Sequence, residues 1–185
     1  LAFNLEERTD AASSMLYTVV LAGFYKVGLH NLEIVSFLLN MMAVGLIAAF
    51  VYLCALKLSG NEWVSAVLGL IAACHGYISG WSCLGMDTVP FAALLVILTW
   101  AILSKRETMS MIMVILIVFM RVEGVLVIPF WWLATGMNIK KLVIVLIATM
   151  TFYLVRFGYY GTLLPHSYHI KNVLMYYHSQ PMNII

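Results

Sequence analysis

The stretch TMSMIMVILIVFMRVEGVLVIPFWWLAT, residues 108–135, is one apolar run interrupted by Arg-Val-Glu-Gly. As a single helix, it would place Arg121 and Glu123 near the middle of a bilayer. As two short helices, 108–120 and 125–137, it forms a hairpin that turns at the polar residues. Each of these helices would be only about 20 Å long at 1.5 Å per residue, which is too short to cross a bilayer.

Basic residues on both sides of this run favour the hairpin. Short loops rich in Lys and Arg stay on the cytoplasmic side of a membrane. The basic pair 105–106 precedes the run and the basic pair 140–141 follows it. Both pairs stay on one side only if the chain between them crosses the membrane an even number of times. The sequence therefore predicts a break at Gly124, with Arg121 and Glu123 in a cavity rather than in lipid.

The composition excludes an ordinary soluble domain. The chain has 64% hydrophobic and 10% charged residues, whereas soluble domains carry about 25% charged residues. Its net charge of +2 comes without any basic run, so no nucleic-acid partner is expected. The three cysteines are isolated, with no metal-binding spacing. These properties predict a protein whose main partner is the lipid bilayer.

Further apolar runs flank the hairpin and have the length of a membrane span. A shorter run that contains Lys26 fits a helix lying at the membrane surface. We therefore predict an all-α, polytopic transmembrane helical bundle with about five to seven membrane-embedded helices and one interfacial helix. We treat residues 1–185 as a single transmembrane domain. The apolar runs are 34–56, 63–82, 88–104 and 142–160, and the surface helix is 12–29.

Polar groups concentrate on the predicted extracytoplasmic face. The stretch RFGYYGTLLPHSYHIK, residues 156–171, follows an apolar run and carries two cations, two imidazoles and three phenols. Such a cluster at the end of a membrane helix indicates a functional site. Cations suit a phosphate, and phenols suit sugar rings and hydroxyls. The candidate substrate-binding residues of this stretch are Arg156, Tyr159, Tyr160, His166 and Lys171.

Four segments in chain order carry a resemblance to a known family. Residues 3–16, FNLEERTDAASSML, resemble its FNPGERVEGYTSPL stretch, and residues 85–88, Gly-Met-Asp-Thr, resemble its GMET or GLET element. Residues 121–124 resemble its RPEG, with Val122 in place of proline, and residues 156–171 resemble its RxxYYGxLLPNTYYAK. The family is that of bacterial polytopic GT-C glycosyltransferases, similar to terminal arabinofuranosyltransferases and mannosyltransferase-like proteins.

This resemblance implies an enzyme of the bacterial inner membrane, multi-pass and active on its extracytoplasmic face. Such enzymes transfer a sugar from a polyprenyl-phosphate donor to a glycan, lipid or protein acceptor. Their acidic first-loop motif would lie before Leu1, so we interpret the chain as a fragment lacking that motif and the first transmembrane helix. The resemblance names no certain cofactor, and it leaves a divalent metal open because GT-C branches differ in metal dependence.

Sugar transfer from a polyprenyl phosphate requires a base for the acceptor hydroxyl, cations for the departing phosphate and an apolar groove for the lipid. Glu7 and Asp10 are the candidate catalytic carboxylates, and a solvated loop is their alternative. Arg156 and Lys171, helped by His166, are the candidates for the phosphate.

Two further groups keep alternative roles. Asp87 fits either a sugar hydroxyl or the N-cap of a helix that starts at Thr88. Arg121 and Glu123 fit either sugar binding or a structural pair at the helix break. A transporter or flippase for an anionic or lipid-linked substrate is the alternative function, because broken helices with charges at depth also occur in transporters. A non-catalytic membrane scaffold ranks third.

Overall fold

The computed structural model describes residues 14–160, which contain helices and no strand. This confirms the all-α class. Residues 14–149 form one compact unit, and the described residues 150–160 belong to a second. In chain order the elements are α1 (Met15–Lys26), α2 (Leu32–Ser59), α3 (Glu62–Ala73), α4 (Gly76–Cys83), α5 (Thr88–Leu103), α6 (Glu107–Met120), the 3-10 helix η1 (Val122–Leu126), α7 (Val127–Ala134) and α8 (Ile139–Tyr160).

A tight turn joins α2 to α3. Gly60 ends α2 in the left-handed conformation with a φ of 65°, which glycine adopts without steric cost. The side chain of Asn61 then accepts hydrogen bonds from two backbone N–H groups in the first turn of α3. Gly69 lets the helices approach closely, because a Cβ there would lie 3.0 Å from the carbonyl oxygen of Ala48.

The core of the larger unit lies between α2 and α5. Ala43 and Ile47 of α2 pack with Val89 and Ala93 of α5, and all four are buried. Trp81 of α4 covers one side of this cluster. Small alanines at the contact allow the two helices to pack closely, as in membrane helix interfaces.

The run 63–82 does not form the single continuous span that we predicted. It breaks at Cys74 and His75 into α3, with 12 residues, and α4, with 8 residues. The sequence of α4, GYISGWSC, contains two glycines and two serines, which have lower helix propensity than alanine or leucine. Neither helix has the length of a membrane span.

The predicted break at Arg-Val-Glu-Gly is confirmed. Arg121 is extended, with φ −142° and ψ 145°, and separates α6 from η1. Gly124 is buried, and a Cβ there would lie 2.5 Å from the backbone carbonyl oxygen of Ile117. The indole N–H of Trp131 donates to Ser110 Oγ over 3.0 Å, so α7 packs back along α6. The second helix of the hairpin is shorter than the predicted 125–137, because η1 forms its first turn.

The two basic loops lie at the same end of the larger unit, as the charge argument predicted. Lys141, in the first turn of α8, forms an ion pair with Glu107, in the first turn of α6. The cavity beside this pair is also lined by Lys105 and by Gly136 at the end of α7. The hairpin therefore begins and ends at one level of the structure.

Two of the described helices are long and apolar enough to cross a membrane. They are α2, with 28 residues and a mean hydropathy of 2.4, and α8, with 22 residues and a mean hydropathy of 1.9. Both have large apolar side chains facing outward, such as Met42 and Ile147. In contrast, α5 has 16 residues and α1 has 12. The polytopic arrangement and the surface position of α1 stay predictions.

Candidate functional site

An ion pair joins the start of α5 to the end of α6, at the opposite end from the basic loops. Arg121 donates from Nε to Asp87 Oδ2 and from Nη2 to Asp87 Oδ1, each over 2.9 Å. Nη2 also donates to Thr88 Oγ1 over 3.0 Å. The side chains of Arg121 and Asp87 are 28% and 13% exposed. Two parallel charge-assisted bonds fix both the position and the plane of the guanidinium.

The fixed guanidinium keeps donors for a ligand. Three of its five N–H groups bind Asp87 and Thr88, and the two on Nη1 make no hydrogen bond within residues 14–160. The ring of Phe91 lies 5.4 Å from Cζ and covers one face of the group. Hydrogen bonding to Asp87 raises the pKa of Arg121 above its ordinary value, so the group stays cationic. This arrangement suits an anion that approaches Nη1.

Asp87 orients Arg121 instead of capping α5. It stands at the N-cap position, but its side chain makes no capping hydrogen bond, because both oxygens accept from Arg121. Asp87 therefore stands at the predicted N-cap position but does not cap α5 through its side chain. The role of Asp87 toward a sugar hydroxyl stays a prediction.

Glu123 does not share in this ion pair. Its side chain is exposed in η1, and it forms no salt bridge with any residue that the structure describes. The described residues contain no direct Arg121–Glu123 ion pair, although the charge of Glu123 contributes to the raised pKa of Arg121. The break is stabilised by Asp87, a residue that lies 34 positions earlier in the chain. The sugar-binding role of Glu123 stays a prediction.

A polar network that the sequence analysis missed supports the loop before α5. The hydroxyl of Tyr17 donates to the carbonyl oxygen of Gly85 over 3.1 Å and accepts from Asn40 Nδ2 over 3.1 Å. Nδ2 of Asn40 also donates to the carbonyl oxygen of Ser36 over 2.9 Å. Burial raises the pKa of Tyr17, so this hydroxyl stays protonated. The network ties α1 and α2 to the loop that carries Asp87.

One feature of the sequence could have indicated this network. Asn40 is a lone amide within the long apolar run of α2, and it is fully buried, with 0% exposure. A polar side chain in such a run needs a partner. Gly85 completes the arrangement: its φ is 65°, and a Cβ there would lie 2.6 Å from Ser36 Oγ. A glycine is therefore required where α2 and this loop meet.

An apolar groove begins beside the ion pair. It has a volume of about 240 Å³ and is lined by side chains of α1, α2, α5 and the end of α6. Met120, which directly precedes Arg121, and Pro90, three positions after Asp87, both line it. Tyr17 contributes to the same wall. The chain thus combines a positioned cation with an adjacent hydrocarbon-like surface, which suits an amphipathic anion.

The remaining predicted site residues lie elsewhere. In the second unit, Arg156 is buried, with 2% exposure. The rings of Tyr159 and Tyr160 meet edge to face, with centroids 4.8 Å apart. The structure brings together Asp87 and Arg121 of the predicted set. Four other predicted residues, Glu7, Asp10, His166 and Lys171, lie outside the described residues.

No cluster of three or more His, Cys, Asp or Glu side chains suited to a metal ion occurs between residues 14 and 160. No protein-family model matches the chain, and no curated protein or solved structure matches it. The resemblance to GT-C glycosyltransferases therefore stays a prediction carried by the four sequence segments.

Proposed function

We propose that this protein is an integral membrane glycosyltransferase of the bacterial inner membrane. It transfers a sugar from a polyprenyl-phosphate donor to an extracytoplasmic glycan, lipid or protein acceptor. The observation that carries the proposal is the guanidinium of Arg121, oriented by Asp87 and located beside an apolar groove. A lipid-linked phosphate has the two matching parts, an anionic head and a hydrocarbon tail.

The phosphate contact follows from the donors that Asp87 leaves unused. In the proposed complex, the two N–H groups on Nη1 of Arg121 bind phosphate oxygens. Because Asp87 and Arg121 together carry no net charge, this pair orients the phosphate but cannot neutralise it. From the sequence alone, Arg156 and Lys171, with His166 as a hydrogen-bond donor, are the further candidates for binding the phosphate. Preset cations stabilise the charge that the leaving phosphate gathers during transfer.

Membrane embedding is supported by the two long helices. The hydrophobic window of α2 is 22% buried and that of α8 is 17% buried. Core helices of soluble proteins bury most of their apolar residues, whereas these helices present large apolar side chains outward, including Ile34, Met150 and Leu154. Lipid contact accounts for such surfaces, and it supports a donor that reaches the groove from the bilayer.

The sugar and the acceptor require further groups. Tyr159 and Tyr160 are assigned to the sugar ring, since phenols combine an apolar face with a hydroxyl. Glu123, with its exposed carboxylate, is assigned to a sugar hydroxyl. Glu7 or Asp10 is assigned the role of base, because Asp87 is engaged by Arg121. The base must come within hydrogen-bond reach of the acceptor hydroxyl.

The proposal is tested by sugar transfer in membranes that contain the full-length protein. The probe is a polyprenyl-phosphate sugar labelled in the sugar, and the readout is label in lipid-extracted acceptor. We expect Arg121→Gln, Arg156→Ala and Lys171→Ala each to lower transfer about 100-fold or more, as loss of one group that stabilises developing charge does. The control Lys26→Gln removes a cation at the end of α1 and should stay within about twofold of wild type. Normal transfer by a folded Arg121→Gln protein would contradict the role of this residue.

A transporter or flippase is the second candidate, and one observation favours it. Two membrane segments are interrupted in the described part of the chain, one between α3 and α4 and one between α6 and η1. Paired interrupted helices mark the binding sites of many transporters. Proteoliposomes separate the two functions: translocation of labelled polyprenyl phosphate without any acceptor, together with no sugar transfer, would favour the flippase.

A further inference from the structure

The basic end of the larger unit contains a polar cleft that the proposed sugar transfer does not use. The cleft has a volume of about 390 Å³ and lies where the ends of α2 and α5 meet the start of α6. Its polar lining comprises Lys57, Ser104 and Arg106, and its wall includes the indole of Trp100. It lies at the opposite end of α5 from Asp87. A cleft of this size can hold a small ligand.

Aromatic contacts hold the cation of this cleft in place. The Cζ atom of Arg106 lies 4.8 Å from the ring centroid of Trp100, within the range of a cation–π interaction. Trp100 is in turn held by Phe50: the two rings meet edge to face, with their centroids 5.2 Å apart. Stacking does not consume the N–H groups at the edge of a guanidinium, so they are available to an anion.

The turn between α5 and α6 sets Arg106 against this wall. The N–H of Arg106 donates to the carbonyl oxygen of Ala101 over 2.9 Å, and the N–H of Lys105 donates to that of Ile102 over 3.0 Å. This hydrogen-bond pattern ends the helix, and it requires one residue with left-handed backbone angles, which is usually glycine. In this chain that position is taken by Lys105, with a φ of 52°. A lysine therefore stands at a position where glycine would cause less backbone strain.

The charge around the cleft is positive. Among residues 14–160, no carboxylate lines it. Of the acids at this end of the described chain, Glu107 is engaged by Lys141, and Glu62 lies in the first turn of α3, outside the lining. Basic clefts between membrane helices on the cytoplasmic side are suited to anionic lipid headgroups. An indole beside them suits the boundary between headgroups and hydrocarbon.

We infer that this cleft binds the phosphate of an anionic bilayer lipid. Arg106 donates to the phosphate from the edge of its guanidinium. Lys57 adds a second positive charge and Ser104 a hydroxyl, while Trp100 contacts the first part of the acyl chains. This site is separate from the donor site at Arg121. It depends on membrane embedding, and it holds whether or not the protein transfers a sugar.

Lipid binding to the purified full-length protein tests this inference. Native mass spectrometry in a neutral detergent compares phosphatidylglycerol with phosphatidylcholine of matched acyl chains. We expect wild type to prefer phosphatidylglycerol, and Arg106→Gln and Lys57→Gln each to lower its affinity about fivefold, the contribution of one cation near an anionic surface. The matched control Lys26→Gln removes a lysine from α1 and should change the affinity by less than about twofold.

Three results would overturn the inference. They are an unchanged lipid preference in the Arg106→Gln/Lys57→Gln double variant, an equal loss in Lys26→Gln, and full displacement of the lipid by millimolar inorganic phosphate, which would indicate a soluble anion. If Arg106→Gln does not fold, Arg106→Lys keeps the charge and loses the planar stacking, and it should give an intermediate affinity. Because the readout is binding, failure of the sugar-transfer proposal would leave this result unaffected.

Discussion

The two ends of the larger unit hold their cations in different ways. At one end, Arg121 is partly buried and is fixed by two bonds to Asp87, whose side chain is 13% exposed. At the other end, Lys57, Lys105 and Arg106 are exposed. The ion pair of that end joins Lys141 to Glu107, whose side chain is 58% exposed. The first arrangement fixes the direction of a charge, whereas the second spreads charge over a surface.

This difference indicates what each end can recognise. A guanidinium held by a carboxylate offers donors in one direction and carries no net charge with its partner, so it selects by geometry. Exposed cations attract any anionic surface and contribute little to stability. We therefore expect substitutions at the Asp87 end to affect both folding and ligand choice. Substitutions at the basic end should mainly affect lipid association.

The largest expected effect comes from removing one partner of the partly buried Arg121–Asp87 pair. Asp87→Ala leaves Arg121 as a partly buried cation without its carboxylate. Breaking a buried pair in this way costs about 3–5 kcal/mol, and the partial exposure of Arg121 reduces this to about 2–3 kcal/mol. The matched variant Glu107→Ala at the other end should cost less than about 1 kcal/mol. Denaturant titration in mixed micelles measures both free energies of unfolding, and equal losses would contradict the distinction between the two ends.

A second effect comes from the hairpin that positions Arg121. Gly124→Ala places a Cβ 2.5 Å from the carbonyl oxygen of Ile117, so the backbone must shift, at a cost of about 1–3 kcal/mol. The control Gly45→Ala lies within α2 with nothing within 4 Å of the new Cβ. It should be neutral or stabilising, by up to about 1 kcal/mol. Thermal unfolding in detergent checks this: the unfolding temperature should fall for Gly124→Ala and stay the same or rise for Gly45→Ala.

The smallest expected effect concerns the polar network behind the Asp87 loop. Tyr17→Phe removes the donor to Gly85 and the acceptor for Asn40, which should cost about 1 kcal/mol. Asn40 keeps its hydrogen bond to Ser36, which limits the loss. Hydrogen exchange should show faster exchange in residues 84–88 than in the wild type. An unchanged rate there would mean that Tyr17 does not hold the loop.

The sequence predicted the broken hairpin from two observations that can be made within residues 105–141. The basic pairs on both sides of the run require an even number of membrane crossings, and the run itself is interrupted by polar residues. Arg121 interrupts an apolar run, and Gly124 follows it closely. The partner of Arg121 could not be predicted, because Asp87 lies on another helix and only the packing of α5 against α6 brings the two together. The break between α3 and α4 was missed because the apolar character continues through Cys74 while helix propensity falls.

The partner of Asn40 could not be predicted from the sequence either. The place of Asn40 in an apolar run could have indicated a buried polar contact, but one of its two partners, Tyr17, lies on a different helix. Pattern reasoning identifies which residues need partners. The choice of partner is a tertiary property, determined by the crossing of α1, α2 and the loop before α5.

The affinity of the purified protein for polyprenyl phosphate, measured for wild type and Arg121→Lys, tests the role of the oriented guanidinium most directly. Lysine keeps the charge and can still pair with Asp87. It lacks the separate N–H groups that Arg121 carries on Nη1 and that would face a ligand. We expect the affinity to fall about tenfold or more, the value of one charge-assisted hydrogen bond. An Arg121→Lys protein that binds polyprenyl phosphate as tightly as wild type would contradict a phosphate site at Arg121.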